Sequence, residues 1–391
     1  MKEFNVYFEP VDVERIRAKV KPRSIFFETH FNEGRGLPDL DDCQIAIIGL
    51  TENRNCDANN GHDLAPQKIR EEFYDLYRSE HVLSIADLGD LKPGEKIIDT
   101  IAAISTITNE LMKLKVIPVF IGGPQYLTFG IYKAFEQIEK AVNITTVDPK
   151  FDLGLLETDL KSDTYLSKII MGDPSYLFNY INIGHQTYLT EPHQLHLMDR
   201  MYFETQRLGE VANDISKTEP MIRASDIFSF DLSAIRMSDL PSNSLALPNG
   251  LYGEQACQMM RYAGLNENLK AIGLFEFNPN KDVNGQSAKL IAQMIWCFAS
   301  ALVSRTKDLP RMSKSNFLKY KVNLKEKHDI VFYKSKLTDR WWMEVPYPEK
   351  EKETYKKNEL VPCTYEDYLE ASSQEMPIRW WRSFQRLSEQ I

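Results

Sequence analysis

The sequence predicts an α/β protein, a three-layer α/β/α body around a parallel sheet followed by a C-terminal extension. Two observations predict it. Short apolar, β-branched runs recur from residue 44 onward, and segments with helical apolar spacing lie between them. Strands buried on both faces read as continuous hydrophobic runs, because crossover helices cover each side of a parallel sheet. A third feature marks the function: several of these runs end in carboxylate-bearing phrases, and ligand sites in such sheets lie beyond the carboxyl ends of the strands.

Gln44–Gly49 (QIAIIG) reads as the first buried strand, and Gln67–Arg78 follows with Ile69, Phe73 and Leu76 at helical spacing. A helix around Ile97–Leu114 precedes the strand Ile117–Ile121, and a helix over Thr128–Ile138 precedes the strand Ile144–Val147. Later strands are expected at Tyr180–Gly184, Ile227–Asp231 and Ala271–Phe277, with helices at Leu251–Ala263 and Gln286–Val303. Residues 43–303 are therefore read as one α/β domain, flanked by an N-terminal extension (1–42) and a C-terminal extension (304–391). In the latter, Ile330–Tyr333 and Trp341–Val345 suit a hairpin. A final helix is expected from Thr364, where Asp367 completes a capping box, through Trp380, Trp381 and Phe384.

The chain has 391 residues, 43% hydrophobic and 26% charged, a composition typical of soluble globular domains. A formal charge of −9 argues against non-specific binding to nucleic acid or anionic membrane. The start lacks a basic stretch followed by an apolar run, and the apolar run near Ala288–Val303 carries Lys289 and Gln293, so neither a signal peptide nor membrane insertion is expected. Five cysteines without a CxxC pair fit reduced thiols and a cytoplasmic location.

The phrases that carry chemistry are GGPQ at Gly122–Gln125, DPKFD at Asp148–Asp152, SFDLS at Ser229–Ser233 and EFNP at Glu276–Pro279. Residues two apart in an extended chain face one side, so Asp148, Lys150 and Asp152 are expected to converge, as are Asp231 and Ser233. In order and spacing these phrases resemble GGDHS, DAHxD, SFDxD and ExNP of the ureohydrolase superfamily of arginase, agmatinase and formimidoylglutamase. GHDLAPQKIR (Gly61–Arg70) and NGLYGEQ (Asn249–Gln255) are similar to two further segments of that family.

The resemblance implies an arginase-like fold and two Mn2+ ions, held by four aspartates and two histidines, that bridge a hydroxide. Metal coordination makes water acidic enough for hydroxide to form near neutral pH. Carried over residue by residue, the implied ligands fall on Gln125 and Lys150 for the histidines, and on Asp148, Asp152, Asp231 and Ser233 for the aspartates; the substrate-side glutamate falls on Glu276. Three ligands survive and both histidines are gone. A protonated Lys150 has three donors and no acceptor, so it cannot ligate. At about 4 Å and an effective dielectric of about 20, each Lys–Asp attraction is worth roughly 4 kcal/mol before desolvation. Lys150 is therefore expected to replace the metals and to salt-bridge Asp152 or Asp231, and no cofactor is expected. The alternative is one divalent ion, Mg2+ or Mn2+, on Asp148, Asp152 and Asp231. That oxygen-only set suits Mg2+ or Ca2+ better than zinc.

The resulting expectation is a formimidoylglutamase-like protein that has lost dimanganese hydrolysis, a pseudoenzyme serving as scaffold, interaction partner or sensor. The alternatives are an active hydrolase of formimidoyl or guanidino C–N bonds with an altered metal site, and a non-catalytic binder of a small ligand at Glu276. The C-terminal extension is the candidate surface for a protein partner, and the resemblance implies a homo-oligomer. Glu276 has either a substrate-side or a structural role. Arg236 fits a solvated loop, and His185 a pocket rim. Cys257 and Cys297 read as core residues. Trp341, Trp342, Trp380 and Trp381 either cover the body or meet a partner, and the Glu349–Lys357 run reads as a solvated loop.

Overall fold

In the computed structural model, residues 2–56, 59–79, 83–155, 159–306, 308–310, 314–324, 329–348 and 358–389 are described. The Glu349–Lys357 run lies outside them, as do His81 and His328. The main sheet is built from β1 (Phe8–Glu9), β2 (Thr29–Phe31), β3 (Ile45–Leu50), β4 (Ile85–Leu91), β5 (Ile117–Ile121), β6 (Val142–Val147), β7 (Leu177–His185), β8 (Glu204–Arg207), β9 (Ile227–Asp231) and β10 (Ala271–Phe275). Its order is β1-β4-β3-β5-β10-β9-β6-β7-β8, with β2 also on β4; every pairing is parallel except β1 on β4. The expected α/β/α architecture with a mostly parallel sheet is present.

Period two along the strands divides the core into two layers. Ile45 and Ile47 of β3, with Val119 and Ile121 of β5, face the helices Ala65–Phe73, Gly253–Leu265 and Gln286–Leu302. Ala46, Ile48 and Leu50, with Phe120, face Ile97–Leu114 and Thr128–Gln137. The strands β4 and β8 were hidden in the sequence. Strand β4 carries Asp87 and Asp90, but Asp87 is buried because Arg70 reaches it with Nε at 2.7 Å and Nη2 at 2.9 Å, and Tyr74 donates to it. Strand β8 reads ETQR, a polar strand at the end of the sheet. Strands β1 and β2 of the N-terminal segment pair with β4 and so belong to the main sheet.

The extension folds as a four-stranded antiparallel sheet, β11 (Phe317–Asn323), β12 (Asp329–Ser335), β13 (Trp341–Val345) and β14 (Glu359–Cys363), with two helices. The hairpin is the β12–β13 pair. The single final helix expected from Thr364 is instead two, Tyr365–Ser372 and Ile378–Glu389. Gln374 adopts a left-handed φ of 67°. Pro377 then excludes helical geometry from the residue before it. The Thr364–Asp367 capping box is formed, with Asp367 N donating to Thr364 Oγ1 at 3.1 Å and Thr364 N to Asp367 at 2.7 Å. Trp341, Trp342 and Trp380 are buried in or beneath the extension, whereas Trp381 is 38% exposed and packs edge-on to Tyr202. Cys257 and Cys297 are not core residues: both are half-buried and line a surface cavity between their two helices. No described helix is long and apolar enough to cross a membrane.

Candidate functional site

The order β5-β10-β9-β6 sets four strand ends side by side, and each ends in one of the phrases singled out above. Gln125 opens a short turn after β5, Asp148 follows β6, Asp231 closes β9 and Glu276 follows β10. Gly122 and Gly123 make the first exit, with φ of 87° and 72°; a Cβ on Gly122 would meet Leu50 O at 2.9 Å. A cavity of about 250 Å³ opens here, and Lys150, Asp152, Asp231 and Glu276 all contribute to its wall.

The extended geometry expected through Asp148, Lys150 and Asp152 does not persist. Strand β6 stops at Val147, and Asp148 Oδ1 accepts the Lys150 N–H at 2.7 Å, which turns the chain. Asp152 returns at a left-handed φ of 53°. Asp148 and Asp152 thereby bring their carboxyl groups into contact, while Asp148 Oδ2 and Asp152 Oδ2 are buried without a further partner. Asp231 Oδ1 accepts the Ser233 N–H at 2.6 Å, so Ser233 is used as a turn residue. Gln125 is fully buried; its amide lies close enough to Asp148 to favour the anion, yet neither amide atom reaches hydrogen-bond geometry.

Burial raises all three carboxyl groups above the usual range. For Asp148 it is offset in part by Asp152 and the Lys150 N–H; for Asp152 it is reinforced by Asp148, and for Asp231 by Asp148 and Glu276. Contact between two carboxyl groups away from water disfavours their ionising together, and the Asp148 charge adds to the upward shift of Asp152. Burial works to lower Lys150, but Asp152, Asp148 and Asp231 outweigh it and the net shift is upward, so the amine stays an ammonium. The expected direct salt bridge is not made. Among the described residues Lys150 forms no ion pair, because the Asp148 turn directs it to the cavity wall, where it acts through space.

Glu276 is a hub. Its Oε1 accepts the Gln125 N–H at 2.9 Å and Ser162 Oγ at 2.6 Å, and its Oε2 accepts Asn59 Nδ2 at 3.0 Å. Its carbonyl accepts Asn59 and Asn243, each at 3.0 Å. His62 donates from Nδ1 to Phe277 O at 2.9 Å, with Nε2 at 3.7 Å from Glu276. Asn59, Ser162 and Lys161, which line the cavity, and Asn243 behind Glu276 carry no local signal in sequence. His62 did, lying in the GHDLAPQKIR segment. His185 stands apart on another cavity, its ring against Phe151 at 5.0 Å, and Arg236 pairs with Asp239 at 2.7 Å beneath Tyr252.

These donors do not suit a two-ion cluster. They offer oxygen alone, an ammonium and an amide sit at the two positions on which the resemblance places histidines, and among the described residues no three His, Cys, Asp or Glu side chains are arranged around a common metal position. The two unpartnered oxygens of Asp148 and Asp152 would suit a single hard cation.

The family model for the arginase family matches residues 43–300. The formimidoylglutamase of Macrococcus caseolyticus is 24% identical over 268 residues, covering 64% of this chain and 83% of its own. That of Bacillus subtilis is 20% identical over 284 residues, covering 64% and 84%. The crystal structure of Trypanosoma cruzi formiminoglutamase with Mn2+2 is similar at a TM-score of 0.63 and 19% identity, over 68% of this chain and 96% of that one. Agmatine ureohydrolase of Thermoplasma volcanium gives 0.60 and 18%, over 74% and 97%. At these identities the structural likeness speaks for the fold.

Proposed function

The chain belongs to the arginase family, and from that premise we propose that it is a member that no longer performs two-metal hydrolysis and acts by binding, as a scaffold, interaction or sensor protein. The observation that carries this reading is that Gln125 and the Lys150 ammonium stand at the two positions on which the resemblance places histidines, among carboxyl groups that burial shifts upward. The fixed charge of Lys150 supplies some of what a cation would, without Lewis acidity. Glu276 supports the same reading, because its carboxylate already accepts from Gln125, Ser162 and Asn59, which leaves less of it for a cationic substrate.

The partner surface in this reading is the C-terminal extension, on which Tyr365, Leu369, Ile378 and Trp381 leave apolar side chains open. Self-association is proposed alongside it. Five cysteines outside disulfides agree with a reducing cytoplasm.

A second reading is favoured by one observation, the unpartnered Oδ2 atoms of Asp148 and Asp152. It is an altered C–N hydrolase that keeps a single divalent ion on Asp148, Asp152 and Asp231. The two are separated by metal analysis of the purified chain, combined with assays of formamide, ammonia and urea release from formimidoylglutamate, arginine and agmatine in added Mn2+. The first reading expects little bound metal and no turnover. Turnover that disappears in Asp148→Ala and Asp231→Ala would establish the second.

A further inference from the structure

A second cavity, of about 230 Å³, lies where the extension meets the body, far along the sheet from the four strand ends described above. Its wall is built from both units: Asn179 of β7, Arg223 and Asp308 beside β13's Trp342 and the final helix's Arg386. All four polar residues are at most 5% exposed. Each keeps one buried polar atom without a partner: Arg223 Nη1 and Arg386 Nε as donors, Asn179 Oδ1 and Asp308 Oδ1 as acceptors. Their remaining atoms are firmly held. Arg223 donates Nε to Glu219 at 3.0 Å and Nη2 to Trp341 O at 3.1 Å, and its guanidinium lies 4.3 Å over the Trp342 ring. Arg386 donates Nη2 to Ser383 at 3.1 Å and Nη1 to Tyr202 O, and Asn179 donates to Glu204 at 3.2 Å.

Four unpartnered buried atoms on residues around one small cavity are costly if nothing meets them, at about 1–3 kcal/mol each. The carboxylates nearby are also shared. Glu219 serves Arg223 and Arg340, each at 3.0 Å, and Glu204 serves Arg379 at 2.9 Å and Arg386 at 3.6 Å. Burial lowers Arg223, and lowers Arg386 to about 10, as befits cations with less than a full counter-charge. A complementary guest offers an oxyanion to the arginines and N–H donors to Asn179 and Asp308, with an aliphatic part on Trp342. The volume, below the roughly 300–1,000 Å³ of drug-sized pockets, calls for a compact one.

We propose that this junction cavity is a binding site for a free amino acid, its carboxylate on Arg223 and Arg386 and its ammonium on Asn179 and Asp308. The site is independent of the strand-end chemistry. Because both units supply its wall, the ligand ties the extension to the body.

The test is calorimetric titration of the full chain with L-glutamate, L-asparagine, succinate and inorganic phosphate. At least one of the two amino acids binds with a Kd at or below about 1 mM, and succinate and phosphate bind at least tenfold more weakly. Binding falls at least tenfold in Arg386→Gln, and also in Ala224→Leu, which narrows the cavity and leaves every polar group in place should the arginine variant misfold. It is retained in Asp148→Asn. No heat from either amino acid would mean that water alone fills the cavity and would overturn the proposal. So would equal binding of phosphate, or loss of binding in Asp148→Asn, which would move the ligand to the strand ends.

Discussion

The Glu276 carboxylate and the Gln125 backbone N–H close on each other at 2.9 Å, joining the exits of two adjacent strands, β10 and β5. Glu276 holds a left-handed φ of 71° to do so. Replacing Glu276 with Leu leaves the Gln125 N–H, Ser162 and Asn59 without their acceptor. The expected cost is about 3 kcal/mol of unfolding free energy, and less for Glu276→Gln. Urea denaturation checks it; an unchanged midpoint in the Leu variant would show that Glu276 is free for a ligand after all.

Restoring nitrogen and carboxylate donors ought to restore metal. The triple variant Gln125→His, Lys150→His, Ser233→Asp is expected to retain Mn2+ through gel filtration, whereas the natural chain does not. Turnover of formimidoylglutamate stays low, because Glu276 remains tied to its three donors. Metal content by atomic spectroscopy is the measurement, and equal manganese in both proteins would refute the account of the site.

Cys257 and Cys297 line one cavity, and their mutual influence holds the Cys257 thiol high and lowers Cys297 to about 7. Thiolate is the reactive form. Iodoacetamide labelling of Cys297 should rise with pH to half its maximum near pH 7, with Cys257 lagging. In Cys257→Ala the principal cause of the lowering is removed, and the midpoint should move upward. Peptide mapping of the labelled chain follows both sites.

His185 is 2% exposed, and burial lowers it to about 4 from 6.5. A buried neutral imidazole binds fewer protons folded than unfolded. Its contribution is therefore complete above pH 6.5 and is lost as pH falls toward 4, on the order of 3 kcal/mol in all. His185→Phe should flatten stability across that window. A slope identical to that of the natural chain would assign the acid sensitivity elsewhere.

Much of the body was legible because buried parallel strands are written as uninterrupted apolar runs: Ile117–Ile121 and Ile227–Asp231 coincide with observed strands. Strand β4 was not, since a buried Asp87 looks like a loop residue until Arg70 and Tyr74 are seen on it. The site was legible as a set of strand ends, because motif order carries that information. Its internal geometry was not. The cradle of Asn59, Ser162 and Asn243 around Glu276 depends on residues remote in sequence from the group they hold, and the local Asp148 turn that diverts Lys150 breaks the strand spacing from which convergence was read.

Helix Ile378–Glu389 reaches across to β8, where Arg379 and Arg386 meet Glu204, and to the preceding helix Pro192–Arg200, where Arg382 meets Asp199 at 2.8 Å. Cutting the chain at residue 303 would therefore not trim a tail. It would strand a carboxylate in the interior of the last strand and lay the flank of the sheet open to other chains, so that any truncated protein would be prone to clumping. Proteins recovered with such a truncation would report on damaged surface, and the role of the extension is better probed by single substitutions on its outer helices.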